Sequence, residues 1–453
     1  MKSPDSEGRP VSRLTISALA VLFAAYFLVL SALQPARADV NIQEVTSAGG
    51  IKAWLVEDYT VPIVTVRFIF RGGSTQDPAG KEGLVNLMSG LFDEGAGDLD
   101  SDAFQLALDD AGAEMGFNAG FDGMSGTMRM LADKREAALD LLRLAVNEPR
   151  FDQGPIDRIR AQIVASIAAR SRDPETMAGI AFAQALYGDH PYARRSEGTP
   201  ETLAAITADD LGAMHRRLFA RDNLIVGVVG AIDAETLKQE LDRVFGALPA
   251  QADLAAVPHV KPKLDQVVRI DYPLPQTQIQ LAYPGIPRKD PDFFAAYLMN
   301  YALGGSEFTS RLFQEVREKR GLAYSPGSSL ANRRYSEALV VGAGTASDNA
   351  TETLAVIRDV VARMAAEGPT DAELLAAKRY LLGSYAINNL DSSRAIAETL
   401  VQLQLEELGI DYIERRSEMI NSVTREAAAE AARRLLSAEP AILIIGPEEK
   451  EGN

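Results

Sequence analysis

His190, His215 and His259 are the only imidazoles in this 453-residue chain, and it has no cysteine. A protein zinc site needs such ligands at close spacing, typically two histidines one helical turn apart or a histidine with a nearby carboxylate. These three stand far apart, with no HxxEH, HxxE or HxH grouping. His190 falls in an HPY turn, His215 on a predicted helix and His259 in a proline-punctuated stretch, so each is expected to be structural. Other catalytic arrangements fail too. GGSEFTSR has no lysine after its glycines to form a phosphate-binding loop, and no GxSxG nucleophile elbow occurs. The pairs Asp109-Asp110 and Asp209-Asp210 are adjacent, point apart on a helix, and read as solvated or helix-start charges. Arg317 and Tyr324, seven residues apart, are both hydrogen-bond donors. By residue type alone, the arginine complements the dipole of a helix's last turn and the tyrosine is a half-buried strand residue.

The elements around these residues repeat. Val64, Val66, Phe68 and Phe70 alternate with Thr65, Arg67 and Ile69 in a strand that runs into Gly72; Ile279, Leu281 and Tyr283 alternate likewise before Gly285, 213 residues later. Gly154-Pro155 and Gly368-Pro369 each interrupt a pair of long helical patterns. Thr207 and Thr424 are N-caps of helices that lead into the apolar strands LIVGVVG and AILIIGP. In the second copy, Thr309 or Ser310 caps a helix whose inner face is Leu312, Phe313 and Val316; Gly321 ends it, and Tyr324 enters a strand. In the first copy, Leu84, Leu87, Met88 and Leu91 predict a helix over Glu82–Asp93. The fold class is α+β: two homologous domains, each an antiparallel sheet with helices packed on one face. The domains are placed at 39–250 and 264–453, with Pro258 and Pro262 punctuating a linker over 251–263.

Lys2, Arg9 and Arg13 precede an uncharged apolar run from Leu14 to Leu33, and Ala36 and Ala38 form a signal-peptidase-like site. A signal peptide over 1–38, cleaved after Ala38, and a periplasmic location are expected; an uncleaved anchor is the alternative, since the run could span a bilayer. A net charge of −17 argues against nucleic acid and anionic lipid as partners. No membrane association is expected beyond the signal segment.

The repeat, the stretch GKEGLVNLMSGLFDEG and the stretch from Ser171 to Leu203 resemble the pitrilysin/insulinase-type zinc metallopeptidases, which include the mitochondrial processing peptidases. The resemblance covers nearly all of the chain after residue 38. Members carry HxxEH in the first repeat: two histidines bind zinc, the glutamate between them accepts a proton from water, and a downstream glutamate completes the ligands. Aligned on Gly83 and Gly95, those positions are Asn86, Ser89, Gly90 and Ser166 here. The resemblance therefore implies a degenerate zinc site, no metal in this chain and no cofactor of its own.

The same resemblance implies a role for Arg317 and Tyr324, whose spacing and flanking SRL, RE and GLAY strings match. In the family such a pair reaches across to the zinc-bearing repeat and donates to substrate backbone or a developing oxyanion. Bacterial relatives can divide the site between two chains, and this sequence fits the chain without HxxEH. The expected function is the non-catalytic subunit of a periplasmic heterodimeric zinc metallopeptidase. It would pair with a homologous HxxEH-bearing subunit that holds the zinc, act on peptide substrates, and be inactive alone. The alternative is a peptide-binding or assembly module with no catalytic contribution. A self-sufficient metallopeptidase needs ligands the sequence lacks. Asn118-Ala119 matches a segment that binds extended peptide in zinc-bearing relatives.

Overall fold

The computed structural model describes residues 40–447; the leader predicted over 1–38 and its cleavage after Ala38 lie outside them. The first sheet is built from β1 (Gln43–Thr46), β2 (Lys52–Glu57), β3 (Ile63–Arg71), β6 (Glu114–Ala119), β7 (Gly123–Leu131) and β8 (Leu224–Gly230). Between β3 and β6 a short hairpin joins β4 (Gly95–Ala96) to β5 (Leu99–Asp100). The second sheet contains β9 (Val267–Asp271), β10 (Gln276–Pro284), β11 (Gly327–Arg333), β12 (Ser336–Ala346) and β13 (Ala441–Gly446). The strand orders are β1-β2-β8-β3-β7-β6 and β11-β12-β10-β13-β9. Read from opposite ends, β2-β8-β3-β7-β6 and β9-β13-β10-β12-β11 are one topology, so the sequence repeat is a structural repeat. Both sheets are antiparallel except where β2 meets β8 and β13 meets β9.

Alternation fixes which face of each sheet is buried. Val64, Val66, Phe68 and Phe70 point into the first core, where the Phe68 ring packs edge-on against Phe117 and Phe245. Ile279, Leu281, Leu339 and Val341 do the same in the second sheet. Each sheet's own helices cover that inner face.

The opposite faces are covered reciprocally in part, over β8 and β3 of the first sheet and over β13 and β9 of the second. The helix Ser393–Leu405 comes from the second repeat yet packs on β8 and β3 of the first sheet. Gly227 of β8 allows this: a Cβ there would lie 2.9 Å from the Ala397 carbonyl and 3.0 Å from Leu400. Gln404 donates to the Val226 carbonyl at 2.9 Å, and Arg67 pairs with Glu398 at 2.7 Å. In return, the helix Pro174–Tyr187 of the first repeat packs on β13 and β9. Phe182, Leu186 and Tyr187 there cluster with Ala282, Ala441, Leu443 and Ile445.

Between these exchanged layers, residues 251–263 contain no helix or strand and are tied to both repeats. Gln76 donates to and accepts from Ala255, and Val260 donates to Tyr335. A polar junction also crosses the repeats. Tyr192 donates to the Asp122 carboxylate at 2.5 Å and accepts from the Tyr335 amide at 3.1 Å, while the Arg333 guanidinium lies over the Tyr192 ring.

Two predicted elements differ from what is found. The helix expected over Glu82–Asp93 spans only Leu84–Ser89, because Gly83 takes a left-handed backbone (φ 93°) and Gly90 closes the C-terminus. Tyr324 does not enter a strand; it sits in a bend after the bridging residue Ala323, and β11 starts at Gly327. No described helix is long and apolar enough to cross a membrane.

Candidate functional site

The helix Leu84–Ser89 carries Asn86 and Ser89 and ends at Gly90, the positions that the resemblance aligns with HxxEH. Leu84, Val85, Leu87 and Met88 face the core, which leaves Asn86, Ser89 and Gly90 half-buried on the remaining face. That face lies against the helix Gln153–Arg170, where a Cβ on Gly90 would stand 3.0 Å from the Ile159 side chain. Ser166 lies on the same long helix and is exposed. Ser89 donates its hydroxyl to the Asn86 carbonyl at 2.7 Å, a bond internal to the turn.

Zinc does not fit these residues. An amide, a hydroxyl engaged with its own helix, a residue without a side chain and an exposed hydroxyl offer neither imidazole nor carboxylate. Among the described residues, no group of three or more His, Asp or Glu side chains could hold a metal ion.

Asp77, which the sequence reading missed, braces this helix. Its buried carboxylate accepts from the amides of Gly83 at 2.8 Å and Val85 at 3.0 Å. Burial pushes its pKa up to about 7, against the downward pull of those two donors. An acidic residue several positions before a helix was the available signal, although Asp77 precedes the N-cap by six residues and lies outside the usual capping window.

The histidines are structural. His190 accepts from the Tyr192 amide through Nδ1 at 3.1 Å, and its Nε2 lies 2.9 Å from the Pro258 carbonyl. His259 is paired with Glu337 at 2.9 Å. His215 is buried among Phe92, Phe151 and Phe219, its Nε2 lies 2.8 Å from the Val146 carbonyl, and burial lowers its pKa to about 4.

The folded protein therefore keeps His215 neutral down to about pH 4, whereas the unfolded chain protonates it below about 6.5. Stability falls as pH drops through that window, by roughly 3 kcal/mol from this residue alone, and is unaffected by it above pH 6.5. His215→Gln retains a donor for Val146 and removes the titration. In urea unfolding, its stability relative to wild type should rise by that amount between pH 7 and pH 4. Parallel pH profiles would contradict the assignment.

Arg317 and Tyr324 are brought together. Arg317 lies in a segment, Phe313–Glu318, that winds with a π-helical turn. Its guanidinium sits 4.9 Å from the Phe313 ring centroid and 4.5 Å from that of Tyr324, and donates to the Tyr324 carbonyl at 3.1 Å. Phe313, expected only as core, thus serves as one platform for the cation. Tyr324 is 76% exposed and its hydroxyl has no partner within the described residues. None of the hydrogen bonds, ion pairs or ring contacts among the described residues joins this pair to Asn86, Ser89, Gly90 or Ser166.

The family described as Insulinase (Peptidase family M16) matches residues 52–199, and the Peptidase M16 inactive domain matches residues 205–381. A crystal structure of a peptidase M16 inactive domain from Pseudomonas fluorescens superposes with a TM-score of 0.84. It is 31% identical to this chain and covers 91% of it and 100% of that structure. The chain belongs to peptidase family M16.

Its M16 relatives carry differing descriptions. An uncharacterized zinc protease of Streptomyces coelicolor is 27% identical, with 90% of each chain covered. The non-peptidase homolog YmxG of Helicobacter pylori is 24% identical over 74% of this chain and 77% of that protein. The periplasmic protease PqqL from Escherichia coli shares the fold at 17% identity and a TM-score of 0.78, this chain spanning 46% of it.

Proposed function

We propose that this M16 chain is the zinc-less subunit of a periplasmic heterodimeric peptidase, inactive alone and paired with an HxxEH-bearing homologue that supplies the metal. Within that reading, residues 39–250 form the degenerate domain, 251–263 the linker, and 264–453 the domain that carries the working pair. The observation that carries it is the contrast between the two repeats. Asn86, Ser89, Gly90 and Ser166 offer no metal donors, while Arg317 is fixed between two rings beside an exposed, unpartnered Tyr324 hydroxyl.

A guanidinium held in place and a free phenol are two donors that need little reorganisation to meet a peptide carbonyl gaining charge. The chemistry assigned to this chain is limited to binding and orienting that carbonyl. The alternative, an assembly module, predicts that the pair is dispensable. Reconstitution separates them: peptide cleavage by an HxxEH homologue from the same organism is followed as this chain is added. Stimulation that depends on Arg317 and Tyr324 supports the heterodimer, and stimulation indifferent to both supports the scaffold.

A further inference from the structure

We propose that the open face of β10, β12 and β11 is an uncharged trough that binds the backbone of an extended peptide and leads it to Tyr324. On β10, Gln276, Gln278 and Gln280 project to the same face, and their side-chain amides make no hydrogen bond within the described residues. On the β12 side they face Ala346, Gly344 and Gly342, and on the β13 side Gln278 and Gln280 face Ile445 and Leu443, which wall the trough. Gly342 in turn faces Gly327 on β11, so the floor is flat across three strands.

The resulting cavity of about 540 Å³ reaches Tyr324, and no charged residue lines it. A neighbouring cavity of about 440 Å³ shares Gln276, Tyr324 and Gly344 and adds the charged residues Arg317 and Glu318. The trough therefore continues up to the pair assigned above.

The chemistry selects the ligand. Side chains two apart on a strand repeat every ~6.6 Å, which is also the repeat of same-side groups along an extended peptide. Each glutamine amide both donates and accepts, as each peptide unit does. An anionic or cationic ligand would need counter-charges that the lining does not have, in a chain whose net charge is −17. The missing side chain at Gly342 lets another backbone approach closely, while the Gln278 carboxamide lies over Gly344, 3.0 Å from where a Cβ would stand. The occupant is thus a neutral, extended peptide segment read through its main chain.

Gly342 provides a clean test, because a Cβ there would meet nothing nearer than the Ile279 carbonyl at 3.9 Å. Valine suits a strand and would fill the trough without disturbing the fold. The probe is a fluorescein-labelled alternating Ala-Ser dodecapeptide, titrated by anisotropy into the full chain up to millimolar concentration, with its alternately N-methylated counterpart as control. Wild type should bind the first peptide, with Kd raised at least ~10-fold by Gly342→Val or by N-methylation, and several-fold by Gln278→Ala with Gln280→Ala. Absence of binding, or binding indifferent to Gly342→Val in a variant with wild-type urea unfolding, overturns the proposal.

The proposal rests on the reading that peptide reaches Tyr324, yet the two fail separately. Trough-dependent binding together with cleavage indifferent to Tyr324→Phe removes the catalytic contribution and leaves the trough. Cleavage that needs Tyr324 while binding ignores Gly342→Val removes the trough alone.

Discussion

Arg317→Ala in the proposed heterodimer, once reconstituted, should lower kcat/KM for peptide cleavage by about 10²–10³-fold, the range expected on removing one preorganised donor to a developing oxyanion. The loss should appear mainly in kcat, because a donor matched to transition-state charge contributes little to ground-state binding. Tyr324→Phe is the sharper companion. Phenylalanine keeps the ring on which the guanidinium rests and the backbone carbonyl to which it donates, and removes only the free hydroxyl. A drop of about 10–10² in kcat with unchanged assembly is expected. Arg317→Lys should not restore activity, since an ammonium lacks the planar fork that stacks between Phe313 and Tyr324. Wild-type kinetics for Arg317→Ala in a fully assembled complex would remove the pair from the chemistry.

Phe182→Ala should have the largest effect on stability, because it acts where the repeats exchange helices. Phe182 is buried in the cluster that fastens the helix Pro174–Tyr187 to β13, beside Leu443 and Ile445. Truncation leaves a cavity the rigid sheet cannot close, at a cost of about 3–5 kcal/mol. In denaturant unfolding the midpoint should fall with the slope retained, provided both repeats still unfold together. Phe182→Leu should cost less than half as much. A loss below about 1 kcal/mol for alanine would show that the exchanged helix is not a principal fastening.

How much of this was legible in the sequence depended on the range of the interactions involved. Strand alternation at Val64–Phe70 and Ile279–Tyr283 is local, and so are the capped helices that lead from Thr207 and Thr424 into LIVGVVG and AILIIGP, so the repeat and its sheets could be read directly. That Asn86, Ser89 and Gly90 bring neither imidazole nor carboxylate to one short helix was equally legible, because it follows from residue type alone. Helix exchange was not, since the apolar positions of Pro174–Tyr187 and Ser393–Leu405 say that a face is buried and nothing about which sheet buries it.

The winding of Phe313–Glu318 was also hidden, because a π-helical turn depends on packing around it and not on propensity. That turn sets Arg317 between the two rings. The alternation of Gln276, Gln278 and Gln280 stood in plain view within the strand pattern. Its meaning appeared only when β12 placed glycines opposite.

The central claim is that this chain completes an active site it cannot hold by itself. It is tested most directly by titrating the chain into a fixed amount of a purified HxxEH homologue from the same organism, with peptide cleavage and zinc content measured at each ratio. The account predicts no cleavage and no stoichiometric zinc for the chain alone, and activity that rises to a plateau at one chain per homologue with zinc at one per pair. A homologue fully active without it, or cleavage and one zinc per molecule in the isolated chain, would contradict the account.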